Sequence, residues 1–149
     1  MRQRQLQRSG TTVTECAVIG PLTFVFVIGL ILGAIGIFRY QEVASLARRG
    51  ARWATVHGQQ YAKDTGNAAA TPQDIYNQAI VPYAVGYDLS KLNSSVTWNQ
   101  SNAPYEEVVV GGNLVATQNT VSVTVSYQWL DGFFGGITLS STSVMPMSN

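Results

Sequence analysis

A run of 23 residues, 16–38, carries no charged side chain and has Thr23 as its only hydroxyl. At 1.5 Å per residue, a helix of that length reaches roughly 34 Å, enough for a hydrocarbon core of about 30 Å. A buried core helix would show an amphipathic period, whereas this run is apolar on all sides and reads as a membrane span. A cleaved secretory signal has an apolar region of only about 7–15 residues, followed by a small-residue cleavage site. Here the run continues into FRYQEVASLARRGARWATV, which reads as more helix. A lipoprotein arrangement fails on order, because Cys16 precedes the apolar run instead of following it.

Cys16 is the only cysteine, which excludes an intrachain disulfide and a cysteine-based zinc site. It reads as a small apolar residue facing lipid or a neighbouring helix. The formal net charge of +1 hides an asymmetry. Residues 1–52 hold seven arginines against Glu15 and Glu42, whereas residues 53–149 hold Lys63 and Lys91 against six acids. The basic half flanks the apolar run on both sides, so it points to a membrane surface and not to nucleic acid. Arg2, Arg4 and Arg8 favour a cytoplasmic N-terminus. After Gly58 the chain is rich in Ser, Thr, Asn, Gln and Gly, a texture that suits an exported β-rich domain. Glu15, at the mouth of the span, is costly there unless paired and is a functional candidate by default. It either pairs with a cation or sits hydrated among the lipid headgroups.

The spacing predicts one helix over residues 12–56. Val43, Ala47, Gly50 and Ala54, flanked by Leu46 and Trp53, form an apolar stripe. Gln41, Ser45, Arg48, Arg52 and Thr55 form the opposite, polar stripe. The small residues Ala47, Gly50 and Ala51 leave room for another backbone. Gly29 and Gly33 have the G-x-x-x-G spacing of membrane helix contacts, and Gly36 extends that small surface; glycine is also simply common in such helices. Pro21 either kinks the helix or marks its regular start, leaving residues 11–20 less ordered.

Residues 58–70 read as a loop. TPQDIYNQAIVPYAV then reads as a short helix with Thr71 as N-cap, Pro72 at the first position and Asp74 near the positive end. Ile75 and Ala79 face inward and Pro82 ends it. SSVTWN is a candidate strand, and EVVVGGNLVAT is two short strands about Gly111 and Gly112. TVSVTVSYQW alternates cleanly and is a half-buried strand that returns as ITLSSTSVM. Phe133 and Phe134 on the intervening tip read either as a packed staple or as a contact surface. The expected fold is α+β. Residues 1–10 form a basic leader, 11–57 a transmembrane and stalk helix, and 58–149 a small antiparallel β-rich head with one short helix.

Catalytic patterns are missing. His57, the single histidine, sits at the expected end of the long helix with no second ligand near it in sequence, and Glu106 and Glu107 point to opposite faces of a strand. There is no G-x-S-x-G, phosphate loop or metal-ligand spacing, so an exported enzyme trails far behind, and no cofactor or metal is expected. Two structural classes remain: a filament subunit, or a membrane-anchored binding module that enters no filament.

The segment SGTTVTECAVIGPLTFVFVIGLILGAIGIFRYQEVASLARRGARWATVHG resembles the TadE-like proteins, minor pseudopilins of the tight-adherence (Flp-type) pilus machinery of bacteria. The matching pieces are Gly10, TECAVIGPL with Pro21, the apolar run, and ARRGARWA with Arg48, Arg49, Gly50, Ala51 and Arg52. They cover residues 9–58, a third of the chain. The resemblance implies that a prepilin peptidase cuts after Gly10, so that Thr11 becomes the first residue and Glu15 the fifth. The family motif often has Tyr or Phe after that glutamate, where this chain has Cys16. The resemblance also implies docking to other pilin-like subunits through the N-terminal helix and contact with an inner-membrane assembly platform. A physical reason for Glu15 stands beside it. Cleavage would remove three arginines and create an ammonium at Thr11, which Glu15 of a neighbouring chain would neutralise on entering the membrane.

Overall fold

The computed structural model describes residues 9–130 and 136–148. Its first element is a single helix, α1 (Ser9–Val56), and the chain divides into two compact units between Phe38 and Arg39. In the first unit the helix is regular through Pro21, so of the two readings of that residue the late start is overturned. Pro21 has no amide to give the carbonyl four residues back. Beside it, the Thr23 hydroxyl donates to the Ile19 carbonyl at 2.8 Å, so this polar side chain is satisfied within the helix. Most of the apolar side chains here, Val18, Leu22, Phe24 and Val25 among them, are exposed. The apolar stretch is long enough to cross a membrane, and none of its most hydrophobic window is buried.

In the second unit, the head, the same helix becomes a wall of the core. Val43, Leu46, Ala47, Gly50, Ala51 and Ala54 are buried, as the apolar stripe predicts. Gln41, Arg48 and Arg52 lie on the exposed side, but Thr55 of the predicted polar stripe is buried. The C-terminal tail explains this. The Ser148 amide and hydroxyl both donate to the Thr55 carbonyl, at 3.1 and 3.0 Å, and the Thr55 hydroxyl turns back to the Arg52 carbonyl. Helix ends leave carbonyls without partners, and here a segment 93 residues away supplies one of them.

Two short helical pieces follow. α2 (Gln59–Thr65) replaces the loop expected over residues 58–70 and is closed by Gly66 at φ 73°. It buries no residue, so it has no apolar period by which to read it. α3 (Pro72–Ile75) has the predicted cap: the Thr71 hydroxyl accepts from the Asp74 amide, and the Asp74 carboxylate accepts from the Thr71 amide. The Thr71 bonds hold the Asp74 carboxyl below its ordinary range. The helix widens to a π turn over Tyr76–Ile80 and tightens to a 3₁₀ turn over Val81–Tyr83, which contains Pro82. Ile75, Ala79 and Ile80 turn into the core.

Five strands complete the head: β1 (Leu92–Trp98), β2 (Tyr105–Val110), β3 (Asn113–Gln118), β4 (Thr120–Trp129) and β5 (Ile137–Pro146). β1, β4 and β5 form an antiparallel sheet with β4 in the centre. Its register sets Val96 opposite Val123, and Thr124 opposite Thr142. Val121, Val123 and Val125 are fully buried and belong to the same core as the α1 stripe. On the other face the Thr124 and Thr142 hydroxyls meet at 2.8 Å. β2 and β3 pair separately as a hairpin closed by Gly111 and Gly112, at φ 61° and 87°. Two successive positive φ values are what a two-residue hairpin turn demands, and glycine supplies them without strain. Phe133 and Phe134 lie outside the described residues.

Candidate functional site

The residues singled out in the sequence fall in different places. Gly10 and Thr11 lie in the first turns of α1, with Glu15 and Cys16 exposed on it. A Cβ placed on Gly29 or Gly33 would meet nothing within 4 Å, and Gly36 lies on the same stretch of α1. Gly29 and Gly33 are open to a partner helix. Gly50 differs: a Cβ there would come within 3.1 Å of Val123 Cγ1 and 3.4 Å of Ile80 Cδ1. The room that the small stripe leaves at Gly50 is filled by side chains of this chain's own head, Val123 of β4 and Ile80 of the π turn. Glu106 and Glu107 are exposed on β2.

The ARRGARWA segment does two jobs because of helical spacing. Gly50 and Ala51 face the core, whereas Arg48, Arg49 and Arg52 face outward. The three arginines line an open groove of about 630 Å³ with Trp53 and Tyr83. The Arg49 guanidinium sits over the Tyr83 ring at 4.3 Å, a cation–π contact that fixes its plane. Trp53, which also lines the groove, stacks on His57, with ring centroids 4.0 Å apart and planes within 11°. His57 Nδ1 is bonded to the Trp53 carbonyl at 2.9 Å, so this ring serves the helix end. Among the described residues none of the three arginines forms an ion pair with a carboxylate. The groove therefore presents uncompensated positive charge against aromatic walls, a pattern suited to a carboxylate or phosphate. Tyr83 could not be anticipated as part of it, since the residue lies far along the chain and carries no local signal.

A second polar cluster is at the start of the head. The Tyr87 hydroxyl lies 3.0 Å from Glu42 Oε2 and 3.2 Å from the Arg39 carbonyl, and Arg39 bonds Glu42 at 3.2 Å. The Tyr127 ring meets Tyr87 edge-on at 4.6 Å. Burial pushes the Tyr87 hydroxyl up to about 12, and its bond to the Glu42 carboxylate adds to the rise while Arg39 opposes it. A phenol whose pKa is raised on folding keeps its proton in the native state where the unfolded chain has lost it. Its contribution is thus whole below the unfolded value of 10.0 and is lost as pH climbs toward about 12. Head stability is expected to decline over that window, and Tyr87→Phe to flatten that part of the decline; thermal melts across alkaline pH measure both.

Among the described residues no group of three His, Cys, Asp or Glu side chains is placed to hold a metal ion. No protein-family model, curated protein or solved structure matches this chain.

Proposed function

We propose that this chain is a membrane-anchored structural subunit of a pilus-type filament, of the kind the TadE-like proteins represent, and not an enzyme. The observation that carries the reading is α1. One half is apolar all round with none of its most hydrophobic window buried, and the other half is a wall of a small β head. A helix with that much uncovered apolar surface is suited to lipid and to other helices. Gly29 and Gly33, with Gly36 further along the same helix, provide a surface on which a neighbouring helix can approach closely.

In this reading the chain is anchored once in the cytoplasmic membrane, with its N-terminus inside and the head outside. A prepilin peptidase cuts after Gly10. Glu15 then pairs, within the membrane boundary, with the new Thr11 ammonium of the next subunit, and an inner-membrane platform adds subunits in turn. Two charges that would each be costly to desolvate offset one another only when paired, which makes the pairing a selector of register.

Removing one partner of a buried ion pair costs about 3–5 kcal/mol, enough to lower assembly by roughly 100-fold or more. Glu15→Ala is therefore expected to insert normally and fail to enter filaments, as read by membrane fractionation beside filament shearing. Unchanged entry into filaments would sink the docking role of Glu15. Mass spectrometry of the mature N-terminus checks the cut: Thr11 is the expected first residue, and a chain still beginning at Met1 in the presence of the peptidase refutes processing.

A further inference from the structure

The β2–β3 hairpin has a largely uncovered face, and at one end of it the Gln118 side chain donates to the Met147 carbonyl at 3.4 Å. Strand alternation puts Tyr105, Glu107 and Val109 on one side together with Leu114, Ala116 and Gln118 of the paired strand. All six are exposed, Val109 and Leu114 by about two thirds. A two-stranded ribbon is marginally stable alone in water, and an uncovered apolar face on it invites a partner. One carboxylate, Glu107, sits mid-face opposite Ala116, and among the described residues it has no ion-pair partner. The groove on α1 has the reverse character: Arg48, Arg49 and Arg52 set among Trp53 and Tyr83. Both surfaces are exposed, and among the described residues no ion pair or hydrogen bond joins them within one copy.

We propose that the Glu107 face of one copy docks into the arginine groove of a second copy. The groove supplies the residue types that dominate interface energetics, arginine, tryptophan and tyrosine, and the hairpin supplies apolar side chains around a single acid. Arg48 and Arg52 are one helical turn apart with Arg49 beside them, so one carboxylate can be met by two guanidiniums. The two surfaces are different patches, so the contact is head-to-tail, and such a contact propagates into an open chain unless its rotation closes a ring. It would tie heads together in the filament proposed above and to that extent rests on that reading, but it is independent of the Glu15 pairing.

The test is sedimentation velocity of the full chain in detergent micelles, with near-UV circular dichroism to verify that each variant is folded. Wild type is expected to self-associate with rising concentration, less so at high salt. Glu107→Arg, or Arg49→Glu with Arg52→Glu, should each weaken association about tenfold or more, and the chain carrying all three changes should recover most of it. A wild type that stays monomeric, or a triple variant that is folded and does not recover, overturns the proposal. So does a monomeric wild type whose binding to phosphatidylglycerol vesicles is lost on reversing Arg49 and Arg52, which assigns the groove to a lipid surface. The two readings separate cleanly. Glu15-dependent assembly that persists in Glu107→Arg sinks only the head contact, whereas charge-swap recovery with indifferent Glu15→Ala sinks only the pairing at the membrane.

Discussion

Replacing Gly50 by leucine is expected to destabilise the head by about 3 kcal/mol, because the position has no room for a side chain. Even a single Cβ there would lie 3.1 Å from Val123 Cγ1 and 3.4 Å from both Cγ1 and Cδ1 of Ile80. Val123 and Ile80 are fully buried, and the branched valine has little rotamer freedom with which to retreat. Leucine must therefore push β4 away from α1 or leave its own rotamer. Gly50→Ala is the informative contrast. Alanine gains about 1 kcal/mol of helix propensity over glycine, and the tight contact to Val123 takes back an amount of the same order. Alanine is expected to fall within about 1 kcal/mol of wild type, so the pair separates helix propensity from packing. Trp53, Trp98 and Trp129, the three tryptophans of the chain, all belong to the head, so their fluorescence in a urea titration reports this unit. A leucine variant as stable as wild type would mean that β4 does not cross α1 at Gly50.

Asn119→Ala is expected to cost about 2–3 kcal/mol and to loosen the β2–β3 hairpin before the rest of the head. Asn119 is fully buried between β3 and β4. Its Nδ2 donates to the Ser101 hydroxyl at 3.2 Å and to the Ala103 carbonyl at 3.0 Å. Its own amide donates to the Pro104 carbonyl, and its carbonyl accepts from the Met147 amide at 2.8 Å. One residue thus ties the approach to β2, the end of β3 and the C-terminal tail together. Truncation deprives the Ala103 carbonyl of a donor and leaves a small void, and the first of these alone is worth about 1–3 kcal/mol. Asn119→Asp keeps the shape but sets an acceptor where the amide donated, and is expected to cost at least as much. Hydrogen exchange gives the readout: hairpin amides should lose protection while β4 and the α1 stripe keep theirs. Uniform loss across the head would show that Asn119 stabilises the unit as a whole and not the hairpin in particular.

Much of this molecule is written in local patterns. The β4 alternation, the Thr71–Pro72–Asp74 cap and the Gly111–Gly112 turn each depend on residues within a few positions of one another. Each is found where its period or turn chemistry puts it. The core stripe Val43, Ala47, Gly50 and Ala54 was legible for the same reason. The candidate site was legible only in half. Its arginines stand together in sequence, but Tyr83 joins them only because Pro72–Tyr83 folds back toward the helix, and the Glu42–Tyr87 contact spans 45 residues. α2 has no signature in the sequence, because a helix that buries nothing carries no apolar rhythm.

By itself, then, the sequence determined an apolar helix too long and too uniformly hydrophobic for an ordinary core, an alternating strand pair and a hairpin, since these follow from hydrophobic periodicity and the φ demands of single residues. Tertiary structure decided which partner the small stripe receives. It decided that Thr55 is buried under the C-terminal tail, and that three arginines share a groove with two aromatic rings. Those outcomes depend on contacts between residues tens of positions apart, and such contacts leave no period in the chain from which to read them.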